Sequence, residues 1–444
     1  MKKNIRVFQT QSEYDTFISG DDVLRPNVSY VRGENEVHYN PKPDYSKQYL
    51  TFEALESGTF TLSGEAVDYS VDGGTTWTTL EANTATPTLN QGDKILWKGT
   101  FDCNGKVFTS TCRFNAMGNI MSLMYGDNFV GQTTIPNSYK FLNGVFKNNT
   151  RLVSAENLIL PAITLPQYCY CGMFNGCTAL TTAPELNATT LATQCCYSMF
   201  EGCTALTTAP SELPATTLAQ NCYESMFKSC TSLTTAPELN ATTLAPNCYS
   251  SMFNGCTSLT TAPTLPATTL VISCYQRMFQ TCTSLTTAPE LPATTLAQSC
   301  YSNMFKDCTS LTTAPVLPAT TLAQNCYLDM FNGCRALTTA PELNATTLVI
   351  SCYQRMFQTC TSLTTAPELP ATTLVQNCYL NMFLNCTSLN SITMLATDIS
   401  AANCLNGWVE NVQTTSGTFT KAASMTTLPT GASGIPSGWT VVDA

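Results

Sequence analysis

Nine copies of the dipeptide Met-Phe, led by Met173, Met199, Met226, Met252, Met278, Met304, Met330, Met356 and Met382, recur at steps of 26 residues, with one step of 27 where Ser211 is inserted. A fixed period in this range means stacked units, because one unit of that size cannot bury its apolar face without a neighbour on each side. The spacing therefore predicts a multidomain chain dominated by a solenoid, and each end of a solenoid needs an atypical cap. Val145 and Phe146, in "FLNGVFKNNTRL", read as a degenerate front copy of that kind.

Within one copy, "CYSNMFKDC" fits a short helix. At about 100° per residue, Cys300, Met304, Cys308, Tyr301 and Phe305 share one arc, and Ser302, Asn303, Lys306 and Asp307 fall outside it. The stretch that follows, "TSLTTAPVLPATTLAQ", cannot continue the helix. Pro315 and Pro318 break it, and the β-branched threonines favour extended backbone. It reads as very short strands whose Leu311, Leu317 and Leu322 form ladders at about 4.8 Å per repeat.

The unit "MFKDCTSL" carries Phe-x-x-Cys-x-x-Leu and resembles the leucine-rich repeats of Treponema-type bacterial surface antigens, over about residues 141–390. Its strand stretch is longer and richer in Pro and Thr than that family's pattern. The fold class read here is multidomain: a leucine-rich-repeat solenoid, with a short helix plus short strands per 26-residue repeat, preceded by a small antiparallel β domain.

The flanks divide the rest of the chain. Residues 1–46 have little core-forming material and end in a Pro-flanked linker, and their "NVSYV" and "VHYNP" resemble N-termini of virion structural proteins of phages infecting gut Bacteroidales, crAss-like phages included. That resemblance implies a virion-attachment segment contacting other virion proteins. Residues 47–116, with "FTLSG", "VDYSVDGGTTWTTL" and "KILWKGTF" between Gly-rich turns, read as a small β-sandwich or barrel, the "DGG" marking a hairpin. Residues 117–390 are the repeats with their front cap, and 391–444, Gly-, Pro- and Thr-rich, are a β-rich C-terminal cap.

The chain contains 23 cysteines, two in most repeats. The helical reading sets Cys300 and Cys308 about 12 Å apart, beyond the roughly 7 Å reach of a disulfide. The start "MKKNIRVFQTQSEYDTF" has no apolar signal core, so folding in a cytoplasm with reduced thiols is expected. Metal ligation would want Cys-x-x-Cys or nearby histidine, and the only histidine is His38. The cysteines are therefore read as small buried hydrophobes, with no metal and no cofactor. Cys171 and Cys196 break the pattern without explanation at this level.

Charged residues are only 11% and the net charge is −10, which argues against nucleic acid as a partner. The leading function reading is a phage virion protein, a head or tail fibre or decoration protein. It would display its repeats to a host cell-surface protein or glycan, be located on the virion, and form a homo-oligomer. The alternatives are a bacterial cell-surface leucine-rich-repeat adhesin and a capsular polysaccharide depolymerase. The last would need paired carboxylates from the row Glu238, Glu290 and Glu342, which Thr264 and Val316 interrupt, so no enzyme is expected. Candidate binding residues are the outward helix positions Gln276, Arg277 and Gln280, recurring as Gln354, Arg355 and Gln358, with Glu238, Glu290 and Glu342 on the strand side. An ice-like threonine array is disfavoured, since β propensity already explains threonine there.

Overall fold

The computed structural model describes residues 4–8, 28–32, 36–39, 44–101, 103–135, 141–413 and 416–444. β1 (Asn4–Phe8), β2 (Val28–Arg32) and β3 (Glu36–Tyr39) form a small sheet, β1 parallel and β3 antiparallel to β2. The rest of the proposed attachment segment up to residue 43 lies outside the described residues.

Eight strands follow: β4 (Leu50–Ala54), β5 (Phe60–Leu62), β6 (Val67–Ser70), β7 (Thr78–Leu80), β8 (Lys94–Lys98), β9 (Phe108–Ser110), β10 (Phe114–Asn119) and β11 (Leu152–Ile159). One sheet has the order β11-β10-β4-β8-β6-β7, antiparallel except where β10 meets β11, and β5 pairs with β9 separately. Alternation explains the buried face. In "KILWK" Ile95 and Trp97 are wholly buried, and the rings of Phe60, Trp97, Phe108 and Phe114 surround Phe52 at 4.9–5.5 Å. Between β6 and β7, Gly73 and Gly74 adopt φ of 75° and 92°, the left-handed conformation that a tight hairpin needs.

The parallel β10–β11 contact carries the sheet across position 116 into the repeats, because Ser154 of β11 bridges Thr182 of the next unit. Thr182 in turn bridges Thr208, and from Thr235 equivalent threonines bridge in parallel, unit after unit, through Thr261, Thr287, Thr313, Thr339 and Thr365 to Ser391. Two-residue strands form at β12 (Thr164–Leu165) with β13 (Thr190–Leu191), and at β14 (Glu212–Leu213) with β15 (Glu238–Leu239). The far end is a parallel sheet of β16 (Ser391–Met394), β17 (Thr418–Lys421) and β18 (Thr440–Asp443).

Inside the stack the repeated side chains form columns. From Phe146 to Phe383 successive phenylalanine rings lie 5.2–5.7 Å apart with planes within 9° of parallel. Tyr223 to Tyr379 form a second column at 5.7–6.2 Å. Phe108 of the β region stacks on Phe146 and closes the phenylalanine column at the front, and Trp408 meets both Tyr379 and Phe383 and closes both columns at the far end. Trp408 occupies the Met position 26 residues after Met382, which carries the stack past residue 390.

The expected helix is absent: the Cys300–Cys308 stretch is a run of overlapping turns. The N–H groups of Cys300, Ser302, Met304, Lys306 and Cys308 donate to the carbonyl three residues back. Those of Tyr301, Asn303, Phe305 and Asp307 donate to Cys326, Leu328, Met330 and Asn332 of the following repeat. Ser299, Asn303 and Asp307 take φ of 54°, 58° and 60°, so a left-handed residue falls at every fourth position, at the third place of every second turn. In that third column Gly176, Gly202, Gly255 and Gly333 stand where Asp307 stands in its own copy, with φ of 75–79°. An α-helix satisfies its backbone internally; here half of it is satisfied by the neighbouring repeat, which ties each unit to the next. With no helix, Ser225, Ser302 and Asp329, expected to face outward, are instead only 7%, 1% and 3% exposed.

The cysteines form two further columns. In the second, the thiols from Cys177 to Cys386 each donate to a phenylalanine carbonyl of a preceding unit at 3.0–3.1 Å, as Cys308 does to Phe279. Cys196 is explained by register: its N–H donates to Cys222 as Tyr223 donates to Cys248, so it fills the tyrosine position and interrupts that column between Tyr170 and Tyr223.

Candidate interaction surface

Two exposed surfaces run the length of the stack. On the turn side, the two identical stretches starting at Val271 and Val349 do not present the same surface. Arg355 makes a two-pronged ion pair with Asp329 of the preceding repeat, Nε to Oδ1 at 3.0 Å and Nη2 to Oδ2 at 2.8 Å, and the Asp329 side chain is 4% exposed. Arg277 has Ser251 at the equivalent place and stands exposed. Gln276, Gln280, Gln354 and Gln358 are half-buried. Asn254 donates to Gln280 at 3.4 Å, and the Gln358 Oε1 is enclosed without a hydrogen-bond partner. Of these six residues, Arg277 is the one left as an open cation.

On the strand side the surface is built of threonine, proline and glutamate. In several copies of Leu-Thr-Thr the first threonine belongs to the scaffold: the hydroxyls of Thr207, Thr260 and Thr312 donate to the carbonyls of Thr181, Thr234 and Thr286 at 3.1–3.4 Å. Thr204, Thr231, Thr257 and Thr283 do the same one turn earlier. These donors are spent on the backbone, which fixes the surface in place.

Glu238, Glu290 and Glu342 are exposed on this side. Beside Glu290 and Glu342, clefts open between neighbouring repeats. One is lined by Pro289, Glu290, Pro292, Pro315, Val316 and Pro318, another shares Pro289, Glu290 and Pro292 with the repeat before, and a third lies between Glu342 and Glu368. Val316, which reads in sequence as an interruption of the glutamate row, is 78% exposed and lines the first cleft. The signal available in the sequence was the proline pair repeating at the 26-residue step. Among the described residues, no three or more His, Cys, Asp or Glu side chains are grouped to hold a metal ion, and no helix is long and apolar enough to cross a membrane.

Short parallel strands, inward leucine and phenylalanine columns and continuous outer faces define a leucine-rich-repeat protein. The BspA type leucine rich repeat region matches in six copies over residues 143–286, 196–338 and 329–418, more than half of the chain, and the chain belongs to that family. A comparison with curated proteins finds no match. Among solved structures it is similar to a leucine-rich repeat protein from Bacteroides ovatus (16% identity, 62% of this chain, 81% of that one, TM-score 0.30). It is also similar to a leucine rich cell surface protein from Faecalibacterium prausnitzii (16% identity, 64% of this chain, 90% of that one, TM-score 0.24). None of these matches supports the phage-like reading of the N-terminus.

Proposed function

We propose that the chain is a non-catalytic leucine-rich-repeat adhesin acting at a cell surface, binding through its repeat faces. Membership of the BspA-type family favours this over the virion fibre. The observation that carries it is the strand side itself, an outer surface built on one repeating sequence plan and held in several repeats by threonine-to-backbone hydrogen bonds. Such pre-ordering lowers the entropy cost of binding an extended partner. Repeat stacks also let exposed positions change while their columns stay fixed.

Beads coated with the purified chain are expected to adhere to layers of extracellular host proteins or mucin, and albumin-coated beads are not. Antibody labelling of intact producing cells should find the chain outside. Adhesion no greater than the albumin control would contradict the proposal.

A further inference from the structure

Two clefts on the strand side join into a groove across three repeats, since they share Pro289, Glu290 and Pro292, and a further cleft opens on the equivalent residues between Glu342 and Glu368. Proline rings wall both; the groove carries Glu290 and, in a cleft of about 300 Å³, the exposed Val316, and the further cleft carries Glu342 and Glu368. The charges are segregated. No copy of the stretch from Leu-Thr-Thr-Ala-Pro to Ala-Thr-Thr-Leu contains a Lys, Arg or His, whereas six copies contain a glutamate. The bases of the repeats, among them Lys228, Arg277, Lys306 and Arg355, all lie outside that stretch.

We propose that this row of clefts binds an extended, lysine- or arginine-rich polypeptide segment lying along the stack axis, a proposal that rests on the surface-binding reading and names its partner class. An apolar groove with a purely acidic rim suits side chains that are themselves divided. The methylene stem of a lysine or arginine covers proline and valine while its cationic head reaches the carboxylates. The spacing is compatible: two repeats advance about 9.6 Å, which an extended chain covers in about three residues. Glu290 and Glu342 are two repeats apart, so a basic residue at about every third position meets the rim. Complementary charge also speeds encounter and excludes acidic chains.

The test uses the full chain and a fluorescent peptide of about 12 residues with lysine at every third position and Pro or Val between. A twin has glutamate for lysine, and binding is read by anisotropy. The lysine peptide is expected to bind, more weakly as salt rises, and the glutamate twin is not. The Glu290→Gln, Glu342→Gln, Glu368→Gln triple variant should bind at least tenfold more weakly, and Val316→Lys should weaken binding too, with unchanged thermal transitions in both. Equal binding of the twins, unchanged affinity in the triple variant, or displacement by spermine at equal charge overturns the proposal. So does competition by a neutral polysaccharide at the same site. Bead adhesion that persists with no peptide binding sinks the groove and leaves the adhesin reading standing. Peptide binding without bead adhesion does the reverse.

Discussion

Raising the pH from 8 to about 10.5 is expected to unfold the repeat stack in one steep step. Burial pushes the thiols of Cys177, Cys256 and Cys386 in one column, and of Cys248, Cys274, Cys326, Cys352 and Cys378 in the other, up to about 12. An unfolded thiol ionises near 8.5. Below that value both states keep the proton and the full stability is present. Above it the unfolded chain releases protons that the folded chain retains, so stability falls as pH rises, at about 1.4 kcal/mol per thiol per pH unit. Eight such groups lose about 11 kcal/mol over one unit, which matches the whole stability of an ordinary domain, about 5–15 kcal/mol. The buried tyrosine column, pushed in the same direction by burial, adds to the loss above about 10. Circular dichroism and thiolate absorbance should therefore change together. Replacing Cys256, Cys282 and Cys308 by alanine should move the midpoint to higher pH. Thiolates that form gradually near pH 9 on an intact fold would contradict the linkage.

Phe305→Ala is expected to cost about 3–5 kcal/mol, the usual range for emptying a buried phenylalanine site. The ring is wholly buried and stacked between Phe279 and Phe331 at 5.6 and 5.7 Å, so its loss opens a gap in the column. A stack draws its stability from nearest neighbours, and the damage should divide the protein into two parts that melt separately. Urea unfolding with hydrogen exchange checks this. Amides on both sides of residue 305 should lose protection while those near Phe174 keep it. One cooperative transition shifted by under about 1 kcal/mol would show that the phenylalanine column is not what couples the repeats.

The period, the inward residues and the outward strand glutamates were legible because self-similarity reports them directly. The local backbone was not. Cys300, Met304 and Cys308 at four-residue spacing fit a helix, yet they fit equally well a chain that turns every two residues and places a left-handed residue every four. What separates the two is the intervening set: Ser299, Asn303 and Asp307, with Asn, Ser, Gly or Asp at most of the equivalent places, are residues that tolerate positive φ. Asp329 occupies the place that Asn303 holds in its copy, which a helix would turn outward; its pairing with Arg355 joins two repeats, and no single copy contains both partners. The groove was hidden for the same reason. Val316 looks like a lapse in a glutamate row until the prolines of the adjacent repeat are placed beside it. Cys196 became intelligible through register with Tyr223, 27 residues on, across the Ser211 insertion.

The central claim is that the cysteine columns are packing, leaving interaction to the outer faces. The most direct measurement is thiol labelling at neutral pH without reductant, on the native chain and again after denaturation, with labelled positions located by mass spectrometry. The account predicts that the column cysteines from Cys203 to Cys386 stay unlabelled in the native protein and that most of the 23 cysteines label once it is unfolded. Column cysteines that remain unlabelled after denaturation because they are oxidised, or that label rapidly in the native protein, would contradict it.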